Sequence, residues 1–140
     1  AHREWAGPER RLVDAAIGRD PRNRLRMAVV DLTRQSGKTA VTELAVLQSA
    51  NGFCWVQCTL QTGRTHQIRV HMASIGHPLV GDTLYGGAAG AGLARQALHA
   101  CRLAFTHPVS GQSLEFRAQP PADMLAALQS AGLRYNEVHA

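Results

Sequence analysis

The pair Asn51-Gly52 constrains the fold of this chain more than any other local feature, because it separates two runs whose residues alternate in character. Asn-Gly tolerates positive φ at both positions, which is what a two-residue hairpin turn matched to strand twist requires. Upstream, residues 38–48 alternate with threonine and valine. Downstream, residues 53–61 put Phe53, Trp55, Gln57 and Thr59 on one face and Cys54, Val56, Cys58 and Leu60 on the other. The two runs predict an antiparallel pair.

Thr62-Gly63 breaks the second strand, and Thr65 is the expected N-cap of a helix running to Ile75, stopped by Gly76-His77-Pro78. Ile68, Met72 and Ile75 recur at helical spacing as its buried stripe. Residues 19–25 read as a loop, and a short strand follows from residue 26. Residues 81–93 read as a glycine- and alanine-rich loop, with 88–92 its mobile part and Asp82 capping its turn. Two more strands are expected over 98–106 and 113–117, then a short helix over 122–131 ended by Gly132. The chain is mostly strand with two helices, without repeats or an internal linker. Its 140 residues, 45% hydrophobic, suffice for one domain or part of one.

No run approaches the roughly 20 apolar residues of a membrane helix, and residues 1–8 lack the apolar core of a signal peptide. Three cysteines, Cys54, Cys58 and Cys101, fit reduced thiols better than a disulfide framework. These features predict a soluble, cytoplasmic protein without a membrane partner. The formal net charge is +5, and every cation among the 15 lysines and arginines except Lys38 is arginine. Arg3, Arg10, Arg11, Arg19, Arg22, Arg24 and Arg26 all precede residue 27. Guanidinium forks match phosphate oxygens bidentately, so the cluster around Arg22 and Arg24 is a candidate RNA contact. The alternative is a solvated loop.

Chemistry concentrates in L-Q-T-G-R-T-H-Q-I-R-V-H-M-A-S-I-G-H-P-L-V-G-D-T-L-Y-G, from Leu60 to Gly86. On a helix starting near Thr65, Arg69 lies one turn in and can reach back over the N-terminus. With the unpaired backbone N–H groups there, its fork would hold a carboxylate or a phosphate. Arg64, Thr65, His66 and Gln67 line the same turn. A zinc site is rejected on spacing: His66 and His71, five residues apart, lie about 140° apart around a helix.

This stretch resembles the arginine-bearing motif of the RluA-type pseudouridine synthases, and the resemblance extends from about Leu12 to Ala131. It is densest in G-R-T-H-Q-I-R-V-H and continues through V-D-A-A-I-G-R-D-P, G-K-T-A-V-T and L-H-A-C-R-L-A-F-T-H-P-V-S-G. The resemblance implies an α+β fold, a mainly antiparallel mixed sheet with two or three helices, in which residues 1–140 form the C-terminal portion of a catalytic domain. It implies isomerisation of uridine to pseudouridine in ribosomal RNA, in the branch acting on the large subunit, with no metal and no cofactor. Arg69 would pair with a nucleophilic aspartate, keeping it ionised and aimed at C1′ of the target ribose. Arg64, Thr65, His66 and Gln67 would grip RNA, and Leu103 would pack beneath the target base or, alternatively, serve as a core leucine of its alternating strand.

The element R-L-D-x-x-(T/S)-(S/T)-G that carries the family's nucleophile does not occur in residues 1–140, nor does an S4-like domain. Asp14 echoes it with the wrong spacing, and Asp20, Asp31, Asp82 and Asp123 lack matching neighbours. The family's base-stacking tyrosine has no counterpart in Tyr85 or Tyr135 by position. This chain is therefore expected to be inactive alone, with Arg69 facing solvent, a bound anion or a borrowed acid. Full pairing of Arg69 to an internal acid such as Asp82 would count against that reading. An incomplete sheet would also expose a strand edge and invite self-association. The competing reading is a non-catalytic RNA-binding module derived from the same fold.

Overall fold

A computed structural model of the chain describes residues 1–133. The strands are β1 (Arg10–Asp14), β2 (Ile17–Arg19), β3 (Met27–Val29), β4 (Val41–Ala50), β5 (Phe53–Leu60), β6 (Arg102–Thr106) and β7 (Ser113–Arg117). The helices are α1 (Gln67–Ser74) and α2 (Ala122–Ser130). All pairing is antiparallel: a three-stranded sheet in the order β1-β4-β5 and two separate ribbons, β2-β3 and β6-β7. The architecture is α+β.

The hairpin forms as its sequence requires. Asn51 and Gly52 take φ of 56° and 82°, and register runs from Ala50↔Phe53 to Thr42↔Leu60, with an irregularity between Val46 and Gln48. Cys54 and Leu44 are buried on the inner face, where Val13, Leu44, Met72 and Leu79 form one core cluster. Val70 packs on the other side of α1 with Ile17 and Ala40. Helix α1 thus buries two flanks, not the single expected stripe; Met72 is inside, and Ile68 and Ile75 are half-buried.

The inner face of β5 opens progressively along the strand: Cys54 is buried, Val56 and Cys58 are half-buried, and Leu60 is exposed. Beyond it lies a trough of about 470 Å³, lined among others by Cys58, Leu60, Ile68, Met72, Leu98 and Leu103. The N-terminal residues bond the outer edge of β5 at Phe53 and Cys54, but among the described residues no strand pairs with the rest of that edge, and the β6-β7 ribbon across the trough pairs with no other described strand. Leu103, Phe105 and Phe116 of that ribbon are exposed. No helix among the described residues is long and apolar enough to cross a membrane.

The segment expected to be mobile is instead closed by a bridge between Gly90 and Leu93, whose side chain is buried. Strands β1 and β2 carried little sequence signal, since Val13 is the one buried residue of β1.

Candidate active site

The turn after β5 is assembled around Gln67. Its Oε1 accepts the Thr62 hydroxyl (2.7 Å) and the Arg64 N–H (2.9 Å), while its Nε2 donates to the Val41 carbonyl (2.9 Å) and Thr42 Oγ1 (2.9 Å). The bond from the Arg64 N–H ties the turn ahead of the helix to its first residue; Thr65 does not serve as the expected cap, and the helix has no side-chain cap hydrogen bond. The N-cap is His66, held at φ 54°, and α1 begins at Gln67. Gln67 is 3% exposed and therefore not an RNA contact as expected: its amide holds the turn together from within.

The polar chain continues inward. Thr42 Oγ1 lies 2.8 Å from His71 Nδ1, and His71 Nε2 lies 2.8 Å from the Ala15 carbonyl. A carbonyl only accepts, so Nε2 carries the proton and Nδ1 accepts the Thr42 hydroxyl. His71 is fully buried, a structural histidine tying α1 to β4 and to the segment between β1 and β2. His77 stacks on Trp5 at 4.7 Å between ring centroids, with Nδ1 2.9 Å from the His2 carbonyl.

Arg69 is where the structure departs most from expectation. Its Nε and Nη2 donate to the two carboxylate oxygens of Asp82 at 2.9 and 2.8 Å, and the two side chains are 15% and 1% exposed. Asp82 does not cap its turn with its side chain; its backbone carbonyl does that work, accepting from Tyr85 and Gly87. The idea that Arg69 stands without an internal partner is thus overturned, because the loop after α1 folds back and delivers a carboxylate. The pairing weighs toward the binding-module reading. It takes one edge of the guanidinium, however. Nη1 has no hydrogen-bond partner among the described residues, and a guanidinium carries a second bidentate edge between Nη1 and Nη2. The Asp82 hydrogen bond, ahead of the Coulomb attraction of the same carboxylate, raises the Arg69 pKa above its ordinary value and keeps it cationic.

Tyr85 is the residue that sequence reasoning passed over. The Arg69 guanidinium carbon sits 5.0 Å from the centroid of its ring, a cation–π contact. Its hydroxyl accepts the Met27 N–H at 3.0 Å and lies 2.8 Å from His66 Nδ1. In the tautomer that keeps the His66 proton on Nε2, the phenol donates to Nδ1. Burial first, then the Arg69 charge, lowers the His66 pKa, which favours this neutral ring. The signal that would have found Tyr85 was its three-residue spacing from Asp82 in a tight glycine-bounded turn.

Arg64 Nε donates to the Thr39 carbonyl at 2.8 Å, and Thr65 is exposed beside it. Arg26 pairs with Asp20 at 2.7 Å and reaches the Leu84 carbonyl at 3.2 Å, anchoring the loop before β3 against the Asp82–Tyr85 segment. Arg22 and Arg24 lie exposed on that loop. Leu103 is 60% exposed, on the wall of the trough. Among the described residues no three metal-ligating side chains converge.

Residues 10–74 match the family model described as RNA pseudouridylate synthase. Ribosomal large subunit pseudouridine synthase D of Neisseria meningitidis serogroup A is 48% identical over 123 residues, which cover 80% of this chain and 32% of that protein. The protein of the same name from Nitrosomonas europaea is 50% identical over 127 residues, 85% of this chain and 36% of that protein. By sequence, the chain is similar to RNA pseudouridylate synthases over residues 10–74 and to these bacterial synthases over most of its length. The solved structure of human RNA Pseudouridylate Synthase Domain Containing 1 agrees, with a TM-score of 0.71 and 29% identity over 90% of this chain and 55% of that one. The chain spans about a third of the length of these bacterial synthases.

Proposed function

We propose that this chain is the C-terminal portion of the catalytic domain of a synthase that isomerises uridine to pseudouridine in ribosomal RNA, in the large subunit as its bacterial relatives' names indicate. The observation that carries the reading is Arg69, cationic, held over Tyr85 and with Nη1 left without a hydrogen-bond partner among the described residues, within a segment similar to those synthases. A carboxylate docking there is kept ionised and directed by the guanidinium. That nucleophile comes from the part of the domain outside these residues. The glycosidic C1′–N1 bond breaks, the uracil turns, C1′ bonds to C5, and C5 gives up its hydrogen while N1 regains one. Arg64, Thr65 and His66 contact the RNA around the flipped nucleotide, with Arg22 and Arg24 on its flanking phosphates and Leu103 beneath the base once the trough is filled.

The open trough, the edge of β5 beyond Cys54 and the edge of β6, which pair with no other described strand, support the reading that further strands of the same domain pack there. Alone, the chain lacks activity and self-associates through those edges. A second reading, a non-catalytic RNA-binding module, is favoured by the complete Asp82 pairing on one edge of Arg69. The two separate in a tritium-release assay on ribosomal RNA containing 5-tritiated uridine. The proteins compared are this chain alone and this chain preceded by the upstream part of the Nitrosomonas europaea relative. Release by the joined protein only, abolished by Arg69→Ala, supports the synthase reading. Release by the chain alone would make one of its own aspartates the nucleophile. RNA binding without release from either would establish the module.

A further inference from the structure

Arg69 is restrained far more than a surface arginine that meets RNA would be. Asp82 holds its Nε–Nη2 edge and the Tyr85 ring covers one face. The loop that presents both residues is itself pinned: Gly81 N–H bonds the Ala88 carbonyl at 2.9 Å, Asp82 N–H the Leu79 carbonyl at 3.1 Å, and Gly87 N–H the Asp82 carbonyl at 2.8 Å. Two glycines permit that packing. A Cβ on Gly87 would collide with the Leu79 carbonyl oxygen, and Gly81, at φ 77°, would collide with the Arg95 carbonyl. Arg26 and the Met27 N–H brace the far side through Leu84 and the Tyr85 hydroxyl.

We infer that Asp82 and Tyr85 are positioning residues that clamp Arg69 by edge and by face, so that its Nη1–Nη2 edge is presented already oriented to the incoming nucleophilic carboxylate. The inference rests on the synthase reading for the identity of that carboxylate; the clamp itself does not. A guanidinium on a flexible stem would have to surrender its rotational freedom in each encounter, and misplacement by about 1 Å costs on the order of 10²-fold in rate. The two-residue clamp removes that freedom in advance. It also explains why a buried acid sits beside an arginine that has a second carboxylate to hold: the two acids use different edges, and Asp82 balances the charge while the second edge is empty.

The first test uses this chain with ¹⁵N-labelled arginine. Arg69 should give a sharp Nε–Hε signal, exchanging with water at least 10-fold more slowly than the exposed arginines. Asp82→Asn should abolish that protection, and Tyr85→Leu should weaken it, whereas Tyr85→Phe, which keeps the ring, should preserve it. Should Asp82→Asn not fold, the Tyr85 pair decides. An Arg69 signal exchanging like the exposed arginines, or one indifferent to Tyr85→Leu, overturns the clamp. The second test measures tritium release by the joined protein. Asp82→Asn should lower kcat on the order of 10²-fold with KM for RNA within about twofold. An unchanged kcat, or a loss carried by KM instead, would make Asp82 merely structural and overturn the inference. If Arg69→Ala itself left release intact, the synthase reading would fail while the spectroscopic result stood.

Discussion

Replacing Gln67 by glutamate should make the stability of this chain depend on pH in a way the parent's does not. The substitution keeps the shape of the side chain and the acceptor that serves the Thr62 hydroxyl and the Arg64 N–H. On the other side it removes the donor that faces the Val41 carbonyl and Thr42 Oγ1, at 2.9 Å each. The carbonyl cannot donate, and the Thr42 hydrogen is committed to His71 Nδ1. A carboxylate therefore meets two acceptors in a buried position, and only the protonated acid restores a donor, to one of the two. Burial and acceptor neighbours both raise a carboxyl pKa, and roughly three units is typical of a well-buried acid. With an unfolded value of about 4.3, the folded value lies near about 7.3. A raised folded pKa means that the protonated group's contribution is fully present below the unfolded pKa and is lost as pH rises through the folded one. Relative to the parent, the variant should lose about 1 kcal/mol at any pH for the donation it cannot make, and ionisation should add roughly 1 kcal/mol at pH 5 and roughly 4 kcal/mol at pH 8. The larger figure is a substantial share of the about 5–15 kcal/mol that holds a domain. Urea unfolding of both proteins across that range, followed by circular dichroism, gives the difference directly. A difference constant between pH 5 and pH 8 would refute the inward orientation of Gln67.

The imidazole of His66 should titrate below the ordinary histidine value when followed by NMR, because burial and the Arg69 charge oppose protonation. A depressed folded pKa makes the neutral ring's contribution present above the unfolded value, near 6.5, and lost as pH falls through the folded one. Arg69→Gln should move the midpoint upward, since it removes a cation and leaves Asp82; a midpoint that stays put would deny the contact. Changing Arg22 and Arg24 together to glutamine should weaken binding to single-stranded ribosomal RNA segments alike across sequences. It should also reduce the slope of log K against log salt by roughly 0.7 for each phosphate that is no longer neutralised. An unaltered slope would return that loop to the solvated surface.

What the sequence determined on its own was whatever is written locally. The Asn51-Gly52 turn, the alternation along β5 and the glycine and proline stops around α1 each depend on residues a few positions apart, and each formed where those residues placed it. The G-R-T-H-Q-I-R-V-H motif likewise drew attention to the turn before α1, because similarity to a family is a property of the string. Tertiary structure decided which atoms meet. Gln67 and Thr65 look equally polar in sequence, yet one holds the turn from inside and the other faces water, since only Gln67 reaches both the Arg64 N–H and the β4 backbone. Asp82 stands 13 residues beyond Arg69, and its carboxylate becomes the partner of that arginine only because the glycine-bounded loop turns back over α1. Tyr85 acquires its place under the guanidinium by the same fold. The openness beside β5 is tertiary too: Leu60 and Leu103 are apolar residues left exposed at the trough, because a sheet edge is completed by a neighbouring strand and not by its own sequence.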